Sequence, residues 1–120
     1  MSIATEVIEY KNFVGGQWVA STSGKTVDNI NPARPSQVLG RVRLSTRKEA
    51  KAAIDAAHKA FGPWSEMPAP KRADYLFKVV RILERRKQDL AEVLTREEGK
   101  ILRESLGEVQ KAINVVEFIA

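Results

Sequence analysis

The chain has 120 residues, of which 43% are apolar and 29% charged, with a net charge of +5. Those proportions exclude an intrinsically disordered chain and describe a soluble globular one of about one domain's length. The absence of cysteine excludes a disulfide framework, a thiolate metal site and a thiol nucleophile within this stretch.

No apolar run approaches the ~18 residues that span a bilayer, so no membrane partner is expected. The start, Met1-Ser2-Ile3-Ala4, lacks the basic segment and apolar core of a secretory signal, which implies a cytoplasmic protein. The basic residues gather at Lys71-Arg72, Arg81 and Arg85-Arg86-Lys87, interleaved with Asp74, Glu84 and Asp89. Mixed signs along a helix describe a solvated face. No zinc-finger spacing or aromatic RNA-binding motif accompanies them, so no nucleic-acid partner is expected.

In chain order, residues 1–11 read as a flexible N-terminal arm. Residues 12–19 read as a β-hairpin, because two short apolar runs flank Gly15-Gly16, a pair suited to the positive φ angles of a type I′ turn. After the polar loop at 21–25, residues 26–31 alternate as a strand does. Pro32 and Pro35 make a rigid turn. Residues 38–44 form the next strand, whose incomplete alternation leaves its register loosely specified.

Thr46-Arg47-Lys48-Glu49 is a capping box that starts a helix running to about Phe61, with Ala50, Ala53, Ile54, Ala57 and Phe61 on its inner face. His58, the single histidine, lies just off that stripe and reads as structural. Gly62-Pro63-Trp64-Ser65 should break the helix, with Trp64 as a plug over its end. Pro68 and Pro70 prepare a second helix, because Pro in the first turn forfeits no intrahelical bond. Ala73, Leu76, Val79, Val80 and Leu83 give it an apolar stripe to about Lys87, and Asp89 is read as the cap of a continuation. Gly99 sits where a helix ends in the left-handed conformation. From Leu102 onward, Leu106, Val109, Ile113, Val116 and Ile119 mark one stripe of a last helix. That helix reaches Ala120 with no stop signal, which predicts that the chain is the front end of something larger.

The chain has no Gly-x-Gly-x-x-Gly after a strand and no Walker-type phosphate loop. No Ser/His/Asp set is credible, because His58 has no sequence neighbour to orient it. Glu97 and Glu98 are adjacent and so diverge on a helix, whereas Glu104 and Glu108 share a face that reads as solvated. On its residues alone, this is a soluble α/β piece without an active site of its own.

The order of the signals is more specific than any one of them. Phe13-Val14-Gly15-Gly16-Gln17-Trp18-Val19 resembles the N-terminal hairpin of the aldehyde dehydrogenase superfamily. Asn31-Pro32-Ala33 and the Val-Leu-Gly strand after it resemble that family's N-P-A-T-G-E segment. Residues 53–64 are similar to its A-x-x-A-A-x-x-A-F-x-x-W helix, and residues 70–84 to its P-x-x-R-x-x-x-L helix. Glu97-Glu98-Gly99-Lys100, with Glu108-Val109 beyond, is similar to E-x-G-K-x-x-x-E. The resemblance runs from about residue 12 to residue 120 and points to members acting on semialdehydes.

The resemblance implies an α/β fold: N-terminal β-hairpins (12–45) and outer helices (46–120) of a Rossmann-like nucleotide-binding domain, incomplete in this chain. It implies oxidation of an aldehyde or semialdehyde to the acid with NAD or NADP, through a cysteine thioester that lies outside this chain. No catalytic or cofactor-binding residue is then expected here, and the chain alone should be inactive and bind no cofactor. The partners implied are the remainder of the dehydrogenase chain and further copies of it, in a homodimer or homotetramer. Asn29, Ile30 and Glu97 match positions that hold a monovalent cation in the family, and an all-oxygen donor set suits such a hard ion. The competing expectation is a free-standing interaction module built from the same hairpins and helices.

Overall fold

A computed structural model of the protein describes residues 7–120. The elements follow the order β1 (Glu9–Tyr10), β2 (Asn12–Val14), β3 (Gln17–Val19), β4 (Thr26–Ile30), β5 (Val38–Arg43), α1 (Arg47–Glu66), α2 (Ala69–Arg85), α3 (Lys87–Glu98) and α4 (Leu102–Ile119). They divide into two units, Met1–Gly62 and Pro63–Ala120, with the boundary inside α1.

The first unit holds two separate sheets. Among the described residues β2 and β3 pair only with each other, Phe13 opposite Trp18, around Gly15 and Gly16 at φ 58° and 81°. Both glycines are left-handed, as a type I′ turn requires. The other sheet has the order β1-β5-β4, with β4 antiparallel and β1 parallel to β5. Its register slips once: Asn29 lies opposite Gly40 and Ile30 opposite Val38, so Leu39 is the extra residue of a bulge. That bulge is why residues 38–44 do not alternate strictly.

Residues 1–6 of the expected arm lie outside the described residues. Glu9 and Tyr10, also read as arm, are instead a strand. The Arg41 N–H donates to the Ile8 carbonyl at 2.7 Å, and Arg43 and Glu9 form an ion pair. The Tyr10 ring lies where Gly40 has no side chain; a Cβ there would be 2.3 Å from Tyr10 Cε2. These contacts join residues far apart in sequence, so no local pattern announces them.

The turn between β4 and β5 is organised by Asn31, which is buried. Its Oδ1 accepts from the Ala33 N–H at 3.0 Å, its Nδ2 donates to Gln37 Oε1 at 2.9 Å, and its own N–H donates to the Gln37 carbonyl at 3.0 Å. A side-chain amide mimicking a backbone turn is a known property of Asn before Pro.

α1 does not break at Gly62-Pro63 as its composition suggests; it runs on to Glu66 with Pro63 inside. Pro63 removes one intrahelical donor. Only three residues follow it in the helix, and Trp64 among them rests on Tyr75 at 5.8 Å between ring centroids. Trp64, expected as a plug over the helix end, stands in the last turn of α1 and makes this ring contact there. The inner face expected for α1 is open among the described residues: Ile54 is 67% exposed and Phe61 66%.

In the second unit α2, α3 and α4 enclose a core of Val80, Ala91, Val109 and Ile113, with Leu83, Leu90, Leu94, Leu106 and Val116 packed on it. Pro68 and Pro70 open α2 as expected. Asp89 caps nothing: α3 starts at Lys87, with Arg86 at φ −102° and ψ 11° as the irregular link from α2, so Asp89 stands in the first turn. There it complements the positive helix start. Gly99 ends α3 at φ 74°, its N–H on the Thr95 carbonyl at 2.9 Å. The α4 stripe is buried at its centre, while Leu102 and Ile119 at its ends stay exposed.

Candidate functional site

Three polar constellations stand out, two in the first unit and one in the second. The first is built on Glu49. The capping box forms as the sequence predicts: the Thr46 N–H donates to Glu49 Oε2 at 2.8 Å, and the Glu49 N–H to Thr46 Oγ1 at 3.2 Å. The same carboxylate accepts three more bonds. Ser21 Oγ donates to Oε2 at 2.8 Å, and the Thr22 N–H and Oγ1 donate to Oε1 at 2.7 and 2.8 Å. Donors favour the charged form, so the Thr22 and then the Thr46 backbone N–H, followed by the two hydroxyls, hold the Glu49 carboxyl down at about 2. Sequence reasoning found the cap but not Ser21 and Thr22, which lie more than 20 residues upstream.

Asn29 and Ile30, two of the candidate cation ligands, sit at the bulged end of β4. Asp28 beside them is paired with Arg41 at 2.7 Å. Glu97, the third candidate, stands in the last turn of α3 and so belongs to the second unit. Asn29 and Glu97 each already make a polar interaction.

The third constellation is the elbow between α3 and α4. Lys100 Nζ bridges Glu98 Oε2 at 2.7 Å and Glu108 Oε1 at 2.5 Å, and its side chain is only 15% exposed. Glu108 first and Glu98 second raise the Lys100 ammonium above its ordinary value by binding its protons. Thr95 Oγ1 and the fully buried Ser105 Oγ share a hydrogen bond of 2.8 Å just behind the elbow. Glu108 therefore does not belong to a merely solvated face. Lys100 stands just before α4 and reaches along its first turns to Glu108.

None of the three has the make-up of a reaction centre. Glu49 is saturated with donors, and the Lys100 cluster pairs its charges internally. No cysteine exists in the chain, and His58 is an exposed residue in the middle of α1. What these groups can do is hold backbone in place, which is the work of a scaffold.

Residues 18–120 match the model of the aldehyde dehydrogenase family. The chain belongs to that family. It is 47% identical over 116 residues to malonate-semialdehyde dehydrogenase 2 of Geobacillus thermodenitrificans, a match covering 97% of this chain and 24% of the relative. Among solved structures, the 1-pyrroline-5-carboxylate dehydrogenase of Thermus thermophilus superposes with a TM-score of 0.87 at 35% identity, over 93% of this chain and 21% of that one. The NAD-dependent benzaldehyde dehydrogenase of Corynebacterium glutamicum superposes with a TM-score of 0.85 at 29% identity, over 89% of this chain and 23% of that one. The chain thus spans about a quarter of the length of the relatives it matches. Its mixed α/β arrangement is the one these aldehyde dehydrogenases share over the matched part, as the hairpin, Asn-Pro-Ala and Glu-Gly-Lys signals imply.

The candidate scaffold residues of this aldehyde dehydrogenase segment are therefore Glu49, Asn31 and Lys100, each fixing a turn between elements. Among the described residues no helix is long and apolar enough to cross a membrane.

Proposed function

We propose that this chain is part of an NAD(P)-dependent dehydrogenase that oxidises a semialdehyde to the corresponding acid, and that it supplies scaffold rather than chemistry. The observation that carries this reading is the 47% identity with a malonate-semialdehyde dehydrogenase along nearly the whole chain, over only 24% of the relative's length. Cysteine, the nucleophile expected from the family resemblance, does not occur in these residues. The nicotinamide cofactor would accept hydride in the complete enzyme, and that reading rests on the family rather than on a residue of this segment. The remainder of a dehydrogenase chain is the first partner, and assembly of that enzyme into dimers or tetramers is the second.

The monovalent cation expected on Asn29, Ile30 and Glu97 is part of the same proposal, supported by the resemblance and by the all-oxygen donor chemistry. A free-standing interaction module is not favoured, because the relatives that match along the chain are enzymes.

The test is an assay of NAD(P)⁺ reduction with malonate semialdehyde and with simple aldehydes. It is run on the 120-residue chain and on the longest product of the natural reading frame. The expected result is turnover by the longer product and none by the 120-residue chain. A stable, monomeric 120-residue natural product without turnover would overturn the enzyme reading. Turnover confined to other aldehydes would overturn the semialdehyde assignment alone.

A further inference from the structure

Among the described residues the β2–β3 hairpin is a sheet of its own, hydrogen-bonded to no other strand. Its apolar side chains do not close on α1. Phe13, Val14 and Val19 face Ala50 and Ala53 across a recess of ≈ 630 Å³. Phe13 stays 60% and Trp18 68% exposed, their rings tilted against each other by 54° with centroids 5.0 Å apart. An element that buries this little apolar surface is held only weakly by the hydrophobic effect.

What fastens the hairpin to the rest of its unit is polar and sits at its two ends. At the leading end Asn12 Nδ2 donates to Ser45 Oγ at 2.8 Å. At the trailing end, separated from β3 by one residue, Ser21 and Thr22 place three donors on the Glu49 carboxylate, and Ser21 Oγ shares its proton with the Leu44 carbonyl at 3.2 Å. A helix cap alone needs one of those carboxylate oxygens; here both are used, and Oε1 is given over wholly to Thr22.

We infer that Glu49 is a latch, and that the hairpin is a flap which swings away from α1 and widens the recess when the latch opens. The joints are visible on either side. Lys11 is the one residue between β1 and β2. After the latch comes Ser23-Gly24-Lys25, where the Ser23 carbonyl accepts from Arg43 at 3.4 Å and the Lys25 carbonyl from the Leu44 N–H at 2.9 Å, which leaves Gly24, with open space around it, as the joint. A flap of this kind belongs to the low-stability end of the molecule, with few apolar contacts and exposed backbone bonds. The carboxylate is suited to the task because ionic acceptors make stronger hydrogen bonds than neutral ones, and all four of its donors converge on one rigid first turn.

The absence of native cysteine allows spin labels at two introduced sites, Gln17→Cys on the hairpin and Lys59→Cys on α1. In the otherwise unchanged chain the distance distribution should be single and narrow. With Glu49→Ala it should broaden by about twofold or gain a second population, while Glu49→Asp should fall between, as expected when a minor conformer gains weight. Amide exchange at Thr22 should accelerate in the same variants, with helical circular dichroism unchanged. A distribution equally narrow in Glu49→Ala would overturn the latch. So would one already broad in the unchanged chain, or a change accompanied by loss of helix throughout, which would mean that Glu49 supports the whole fold.

Discussion

At the scale of single residues, the carboxyl of Glu49 makes a prediction in pH. Its value falls from 4.5 in the ordinary carboxylate to about 2 in the fold, under donation from Thr22 and Thr46. A depressed carboxylate contributes stability that is present above its unfolded value and lost as pH falls toward its folded one. Glu49→Gln should therefore lower the melting temperature at neutral pH. The gap to the parent chain should close as pH is taken from 4.5 to about 2, as thermal melts across that window would show. Gly40 makes a second prediction. A Cβ there would be 2.3 Å from the Tyr10 ring, and the ring, being a side chain, must give way. Gly40→Ala should release Glu9 and Tyr10 from β5, seen as faster exchange of the Arg41 amide, which donates to Ile8. Adding Tyr10→Ala should make the glycine change nearly silent, the non-additivity expected of two groups in direct contact. Nothing in the spacing of residues 9 and 10 marks either partner, because their contact is made across 30 positions.

At the scale of elements, the α3–α4 elbow shows how charge completes what a glycine begins. Gly99 turns the chain, and Lys100 then holds Glu98 and Glu108 together from the two sides of the turn. Lys100→Met would leave two carboxylates facing each other without their cation. The melting temperature should fall, and added salt should recover part of the loss by screening the repulsion. Lys100→Arg should keep most of the stability, and an unaltered melting point in the Met variant would show that the bridge contributes nothing. The capping box, the hairpin turn, the Pro-opened start of α2 and the Gly99 stop were all legible in sequence. Each is a local device, decided by residues within three or four positions of one another. The continuation of α1 past Pro63 was not legible, because the contact between Trp64 and Tyr75 lies outside any local rule.

At the scale of the molecule, the contrast is between a small closed core and wide open faces. Ile113 is 2% exposed at the centre of the second unit, whereas Phe118, five residues on, is 90% exposed. Ile113→Ala should cost about 2–5 kcal/mol in denaturant unfolding, the usual loss for a large-to-small change at a buried aliphatic site. Phe118→Ser should leave that unfolding almost unchanged and reduce self-association in sedimentation, since an exposed aromatic supports contact between molecules rather than the fold. The open face of α1, with Ile54 and Phe61, belongs with Phe118: its stripe has the period of an inner face and no cover among the described residues. The chain covers 24% of the relative it matches at 47% identity, and these apolar faces lie open among the described residues.

From β2 onward the kind and order of the elements, and their resemblance to one family, are written in the residues themselves. Turns, caps and apolar periods are short-range physics, and five such motifs in order resemble one family. Which polar groups do the fastening is settled by the fold. Glu49 with Ser21 and Thr22, and Tyr10 with Gly40, are pairings between residues far apart in the chain. A carboxylate or an ammonium has no periodicity to announce its partner; it takes the one that folding brings within hydrogen-bond reach.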